Sequence, residues 1–483
     1  MGGRAGRAVP VIVGVAQLAN KDTARLVTPV SLAHEAVERA AASTPALLDG
    51  LDAVFAPPAS VYATRTLADE LAERLGVTGP RVTAGFSGAG PLKLLAQACE
   101  AVLDGSARIA LLAGAVAESS VKHARAQGID LGPQAAPWSQ GSNGGRPLAR
   151  TDAQTRDFFV GAETGAGVAS PGEIFALIES SFAFAAGRSP DEQRRFLGAL
   201  MAPFTAVAAT RPEVAWFPVA RGAEELSTVT IDNRMVAEPY PKRMNSFPTV
   251  DLAAAVFVTT DAIADELGVA ADARVYPWST GHGADVAPPS GRPSLHSSRA
   301  LHATIAATLR GARLGTGDLT AFDLYSCFPA AVQMSMDALG LRAGDPRGFT
   351  LTGGLPYFGG PGANYVTHAI VAAVERCLGV AHERALVVGL GGAASDFAAT
   401  VFAATPPDRP WSIDRCESLA AVLEAERVPA DNTREGRAVV EAMTVVHERE
   451  AGPTRVALIA RDADGVRVGA SVADPTRGIR PSM

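Results

Sequence analysis

Cysteine is scarce: Cys99, Cys327, Cys377 and Cys416 are the only four in 483 residues, and no two stand in a CxxC spacing. That argues against a disulfide framework or a thiolate zinc site, and it fits reduced thiols in a cytoplasmic setting. Lysine is equally sparse. Lys21, Lys93, Lys122 and Lys242 are the full set, so nearly all positive charge is arginine. A basic excess is also missing, since the formal net charge is −7 and the pI is near 5.7. Nucleic acid, whose phosphates want a positive field, is therefore not an expected partner. No apolar run approaches the roughly 20 residues of a membrane helix. Residues 9–19 follow Arg4 and Arg7 as the apolar core of a signal segment would, but they run into Asn20-Lys21-Asp22 rather than a small-residue cleavage site. They are expected to form a first strand.

What is present is an ordinary globular composition, 47% hydrophobic and 19% charged, at a length that suits about two to four domains. Two glycine-rich segments organise it: Ala84-Gly85-Phe86-Ser87-Gly88-Ala89-Gly90 and Gly353-Gly354-Leu355-Pro356-Tyr357-Phe358-Gly359-Gly360-Pro361-Gly362. Each leads into an apolar-faced helix (91–103; 364–378) and then an apolar strand (108–115; 385–392). Upstream, 31–42 followed by 51–55 is echoed by 298–311 followed by 321–326, an offset of roughly 270 residues. Self-similarity at that distance means two fused αβ units and not a solenoid of short repeats.

Between the units the texture changes. Residues 120–240 hold a polar stretch with Ser139-Gln140-Gly141-Ser142-Asn143-Gly144-Gly145, then helical patterns over 171–186 and 190–209. Ser189 is a fitting N-cap for the second, with Pro190 at its first position. Residues 249–260 are apolar enough for a buried strand, 261–267 should start a helix, and 275–293 should begin as a strand and end as a connection. Pro406-Pro407-Asp408-Arg409-Pro410 marks a boundary, because prolines this dense forbid helix or central strand. Beyond it, a helix near 416–426 and strands over 438–446, 455–461 and 466–473 suggest a small β-rich appendage.

A helix that starts at a glycine turn aims free N–H groups and partial positive charge into the turn, so both turns could hold an anion or a developing oxyanion. Gly85-Phe86-Ser87-Gly88-Ala89 departs from the nucleophile-elbow pattern G-x-S-x-G only in its last alanine, which leaves Ser87 as either a nucleophile or a helix cap.

Over about residues 9–405 the chain resembles the thiolase superfamily, in particular the branch typified by the thiolase domain of sterol carrier protein X. The resemblance rests on the repeat, on 171–209 with the following Thr210-Arg211-Pro212-Glu213-Val214-Ala215-Trp216-Phe217 as loop-domain helices and their Asn-Pro-x-Ala segment, and on 249–260 as the Asp-Gly-Ala-Ala strand. It rests further on Gly353-Gly354-Leu355 and Gly359-Gly360-Pro361 as the Gly-Gly-Leu…Gly-His-Pro pattern. It implies an α/β thiolase fold, two αβ units in a five-layer αβαβα core. The implied divisions are 1–120 plus 241–272 for the first unit, 121–240 for an inserted helical loop domain, 273–405 for the second unit and 406–483 for an additional β-rich, possibly OB-like domain.

Carried over position by position, the resemblance puts the nucleophilic cysteine at Gly88, the oxyanion Asn or His at Tyr325 in Tyr325-Ser326-Cys327-Phe328, the activating histidine at Gly360 and the second cysteine at Gly389. Thiolysis needs a thiolate, a base to activate it, a base for the α-carbon and donors for two oxyanions. With glycine at three of these positions, the expectation is a thiolase-like protein that binds CoA or an acyl-CoA, with no required cofactor or metal, and lacks ordinary thiolase activity. Candidate ligand residues are Ser87, Gly88, Tyr325, Cys327, Tyr357, Gly360, Gly389, Arg188 and Arg221. Arg194, Arg195, Arg234 and Arg243 lie in the same stretch, where the family holds CoA phosphates. Two alternatives stay open: acyl transfer or retro-aldol cleavage of lipid or sterol CoA esters through Tyr325 or Tyr357, with Tyr365 nearby, and a non-catalytic scaffold. The family's dimer is not assured, leaving monomer or dimer.

Overall fold

The structure, a computed structural model, describes residues 8–59, 66–129, 131 and 160–473. The polar stretch at 139–145 lies outside the described residues. The first unit is a five-stranded sheet in the order β1-β7-β4-β2-β3. Its strands are β1 (Pro10–Ala19), β2 (Ala53–Ala56), β3 (Arg81–Thr83), β4 (Ala110–Ala117) and, after the insertion, β7 (Asp251–Thr260). β2 pairs in parallel with β3 and β4, while β7 runs antiparallel to β4 and β1. Every residue of β7 is buried, which is why it reads as one apolar run: a strand covered on both faces has no polar side to alternate with.

The second unit repeats this with β8 (Tyr276–Ala284), β9 (Ala321–Leu324), β10 (Arg384–Gly391) and β11 (Asp396–Ala403), ordered β8-β11-β10-β9 in the same pattern of parallel and antiparallel pairs. Between the sheets lie the helices Gly90–Asp104 and Tyr365–Cys377, which touch each other and strands of both sheets. Pro29–Ala41 and Leu67–Leu75 cover the outer face of the first sheet, and Arg299–Ala312 covers that of the second. The result is the expected five layers. The first glycine turn leads from β3 into one central helix and the second leads from an irregular stretch into the other, and the two turns meet where Gly362 packs on Phe86.

The inserted helices run Pro171–Ala185 and Pro190–Ala209. Ser189 caps the second and Glu192 returns the bond to the Ser189 N–H, a reciprocal capping box. The chain beyond 405 is tied into the rest of the molecule rather than standing apart. β12 (Ser412–Asp414) extends the second sheet beside β8. β13 (Ala438–Glu448), β14 (Gly452–Asp462) and β15 (Arg467–Val472) share a sheet with two short strands of the inserted segment, β5 (Met235–Ala237) and β6 (Tyr240–Pro241), in the order β15-β14-β13-β5-β6. The Arg467 guanidinium, 1% exposed, donates to the carbonyls of Ser290 and Arg292 and pairs with Glu441. The proline-rich segment at 406–410 links β11 to β12 within the second sheet, and the chain crosses to the third sheet only after β12.

Candidate functional site

At the first turn, the Ser87 hydroxyl donates to Asp396 Oδ2 at 2.6 Å and accepts from the Ala89 N–H at 3.1 Å. Asp396, fully buried at the start of β11, also takes an ion pair from Lys93, one turn into the central helix. A Cβ placed on Gly391 would lie 2.0 Å from Ser87 Oγ. Ser87 is thus enclosed between a carboxylate and a glycine of the second unit, and its hydroxyl locks the two loops together. Sequence reasoning missed Asp396 and Lys93. The signal was an acidic residue opening an otherwise apolar strand.

Of the four positions carried over from the family, Gly88, Gly389 and Tyr325 lie together, while Gly360 lies against Ser246 and Phe247. A Cβ on Gly88 would meet the Leu390 carbonyl oxygen at 2.2 Å and the Tyr325 ring at 2.6 Å. One on Gly389 would lie 3.0 Å from Gly88 O and from Ala89 Cα, so these two glycines face each other. One on Gly360 would lie 2.1 Å from Ser246 Oγ, and Ser246 in turn donates its N–H to the Cys327 carbonyl. The ring of Tyr325 stands edge-on to Tyr365, centroids 5.6 Å apart. Burial, with Cys327 beside it, holds the Tyr325 phenol well above its usual range, so it remains protonated. Burial likewise pushes the Cys327 thiol far up, away from thiolate nucleophile chemistry.

The second turn is built on Asp323. Its buried carboxylate accepts from the backbone N–H of Leu351 and Thr352, from the hydroxyls of Thr350 and Thr352, and from Tyr365 at 3.3 Å. This anchor holds Gly353 and Gly354 at φ of 110° and 83°, where only glycine is unstrained, against Ala208 and Phe204 of the inserted helix. Tyr357 follows, 3% exposed, with its hydroxyl buried and unpartnered among the described residues. The phenol is pushed up by burial, with Arg221 and Arg243 opposing.

The arginines are mostly engaged. Arg188 stacks on Phe196 at 3.9 Å and donates to Gln193, Arg221 and Arg243 share Glu225, and Arg194 pairs with Asp191. Arg234 donates to the Met235 carbonyl. Of these, Arg221 and Arg243 are the pair nearest Tyr357 in charge effect. Among the described residues no group of acidic, histidine or cysteine side chains is placed to hold a metal, and no helix is long and apolar enough to cross a membrane.

No protein-family profile matches the sequence, and no curated protein matches it. Solved structures do. A monomeric SCP2-thiolase-like protein type 1 from Mycobacterium smegmatis superposes with a TM-score of 0.80 at 28% identity, over 97% of this chain and 93% of its own. The chain is related to the thiolase-like superfamily. This thiolase-like chain also superposes on an Ltp2-ChsH2(DUF35) aldolase (TM-score 0.63, 16% identity, 83% of this chain and 98% of the other). It superposes as well on human mitochondrial 3-ketoacyl-CoA thiolase in complex with CoA (0.55, 15%, 82% and 98%). These last two likenesses concern the fold.

Proposed function

We propose that this thiolase-like protein binds CoA or an acyl-CoA in cytoplasmic lipid metabolism without carrying out ordinary thiolase chemistry. The observation that carries this reading is steric. Beyond the absence of cysteine and histidine at Gly88, Gly360 and Gly389, a side chain at Gly88 would run into the Leu390 carbonyl and the Tyr325 ring, while Gly360 faces the Ser246 hydroxyl and Gly389 the Gly88–Ala89 backbone. Neither a thiolate nor its bases can be supplied there, and donors alone do not form an acyl-enzyme. The CoA half is supported by the likeness of fold to a thiolase that holds CoA.

A second reading, acyl transfer or retro-aldol cleavage of a lipid or sterol CoA ester, is favoured by one observation, the unpartnered buried hydroxyl of Tyr357. A buried donor without a partner is costly, and a ligand oxygen would satisfy it. One set of measurements separates the readings: calorimetric titration with CoA and several acyl-CoAs, alongside thiolysis and retro-aldol assays. Binding without turnover is expected. No heat at millimolar ligand removes the ligand half, thiolysis removes the first reading, and turnover that survives both Tyr325→Phe and Tyr357→Phe removes the second.

A further inference from the structure

Away from the glycine turns, a carboxyl group is buried in the inserted helices with no use in the chemistry above. Glu179, on Pro171–Ala185, is 0% exposed. Its Oε1 accepts from the side-chain amides of Gln193 and, at 2.7 Å, Gln333; its Oε2 lies 2.7 Å from the Tyr240 hydroxyl. Three helices and β6 thus converge on one carboxyl, since Gln193 belongs to Pro190–Ala209, Gln333 to Pro329–Leu339 and Tyr240 to β6. Among the described residues no cation touches it. Arg188 acts at one remove, donating at 2.8 Å to the Gln193 oxygen while the Gln193 amide reaches Glu179. The remaining titratable group facing the cluster is the Cys327 thiol, beside Tyr240 and held protonated by burial.

The hydrogen bonds around Tyr240 admit two arrangements. Its oxygen lies 3.2 Å from the Phe175 carbonyl and receives the Ala330 N–H at 3.3 Å. With Glu179 ionised, the phenol donates to Oε2. With Glu179 protonated, the carboxylic acid donates to the phenol oxygen, and the phenol turns its own proton to the Phe175 carbonyl. Both states leave every proton with an acceptor, so the site can take one proton from solution and release it without a stranded group. We propose that Glu179 is a buried proton-binding site whose protonation reverses its hydrogen bond with Tyr240, the residue whose oxygen receives the Ala330 N–H at the start of Pro329–Leu339.

What the switch acts on is defined by packing. The Phe328 ring stacks against Phe175, with centroids 4.8 Å apart, and lies 5.9 Å from Tyr240. Phe328 closes the Tyr325-Ser326-Cys327-Phe328 segment, so a change in the proton that Tyr240 shares with Glu179 or the Phe175 carbonyl acts on the ring stacked beside that segment. Burial raises the Glu179 carboxyl above its ordinary value, and the three donors oppose this without overcoming it. A carboxyl raised on folding adds stability that is full below its unfolded value and is lost as pH rises through the folded value, so the cluster tightens on acidification and loosens towards alkaline pH.

The test uses the full chain and a thiol-alkylating reagent, reading Cys327 against Cys99 by peptide mass spectrometry from about pH 5 to about pH 9. Both thiols are buried, Cys99 completely and Cys327 at 8% exposure, and burial raises both, but Cys99 sits in the central helix, so its pH dependence serves as the reference for the common effect of pH on thiolate supply. The Cys327:Cys99 ratio is expected to climb several-fold with pH in the natural protein and to stay flat in Glu179→Gln. Tyr240→Phe keeps the carboxyl but removes the relay, and is expected to flatten the ratio as well. A ratio that is flat in the natural protein, or that climbs equally in whichever of the two variants folds, overturns the proposal.

Discussion

Gly88 shows how much a single residue position can decide. A glycine at the position where the family resemblance puts a nucleophile would be expected to leave a hole, yet the space is closed by a carbonyl oxygen and a tyrosine ring from the second unit. Gly88→Cys should therefore destabilise the fold and not restore a site. Overpacking against backbone costs about 1–3 kcal/mol, and no thiolysis should appear, because Gly360 supplies no base. Urea unfolding checks this; a variant as stable as the natural chain would show that the turns can open. The family resemblance points to Gly88, Gly360 and Gly389, with Tyr325 beside them, from short motifs, but the contacts from outside those motifs were not legible. Ser246 comes to Gly360 from a distant segment, and only folding brings Asp396 to Ser87 and Lys93.

Among elements, those with strong local signals were the ones the sequence displayed. Helix 190–209 carries its own start signal in Ser189, Pro190 and Glu192, and it forms over those residues. Ser189→Ala should cost about 1 kcal/mol, the usual value of a lost N-cap. Chemical denaturation would measure it, and an unchanged midpoint would mean that tertiary packing alone fixes the helix start. The duplicated sheets were legible for a different reason, since the same order of helix, strand and glycine turn recurs along the chain. β3, β5 and β6 were not legible. They are two or three residues long, too short for an alternating pattern, and are defined by what they pair with.

For the whole molecule, the C-terminal strands connect the inserted segment to the second unit. β13 lies on the helix Pro171–Ala185, where its Met443 N–H donates to the Ser180 hydroxyl, while β12 edges the second sheet. Arg455 pairs with Glu173 at the start of that same helix, and Arg467 fills its buried niche beside Arg292. Such pairing is invisible to a reading along the chain, because strands around 240 and 445 carry no mark of belonging to one sheet. A chain ending at Thr405 would bare one face of the inserted helices, open the edge of β8 and leave the Ser290 and Arg292 carbonyls without the Arg467 guanidinium that covers them. The buried apolar and hydrogen-bonded surface lost in this way weighs against a total stability of about 5–15 kcal/mol. The truncated chain is therefore expected to be insoluble or to aggregate on size-exclusion chromatography. Recovery of a soluble, monodisperse product with an unchanged melting temperature would mean that the C-terminal strands cover the inserted segment without holding it up.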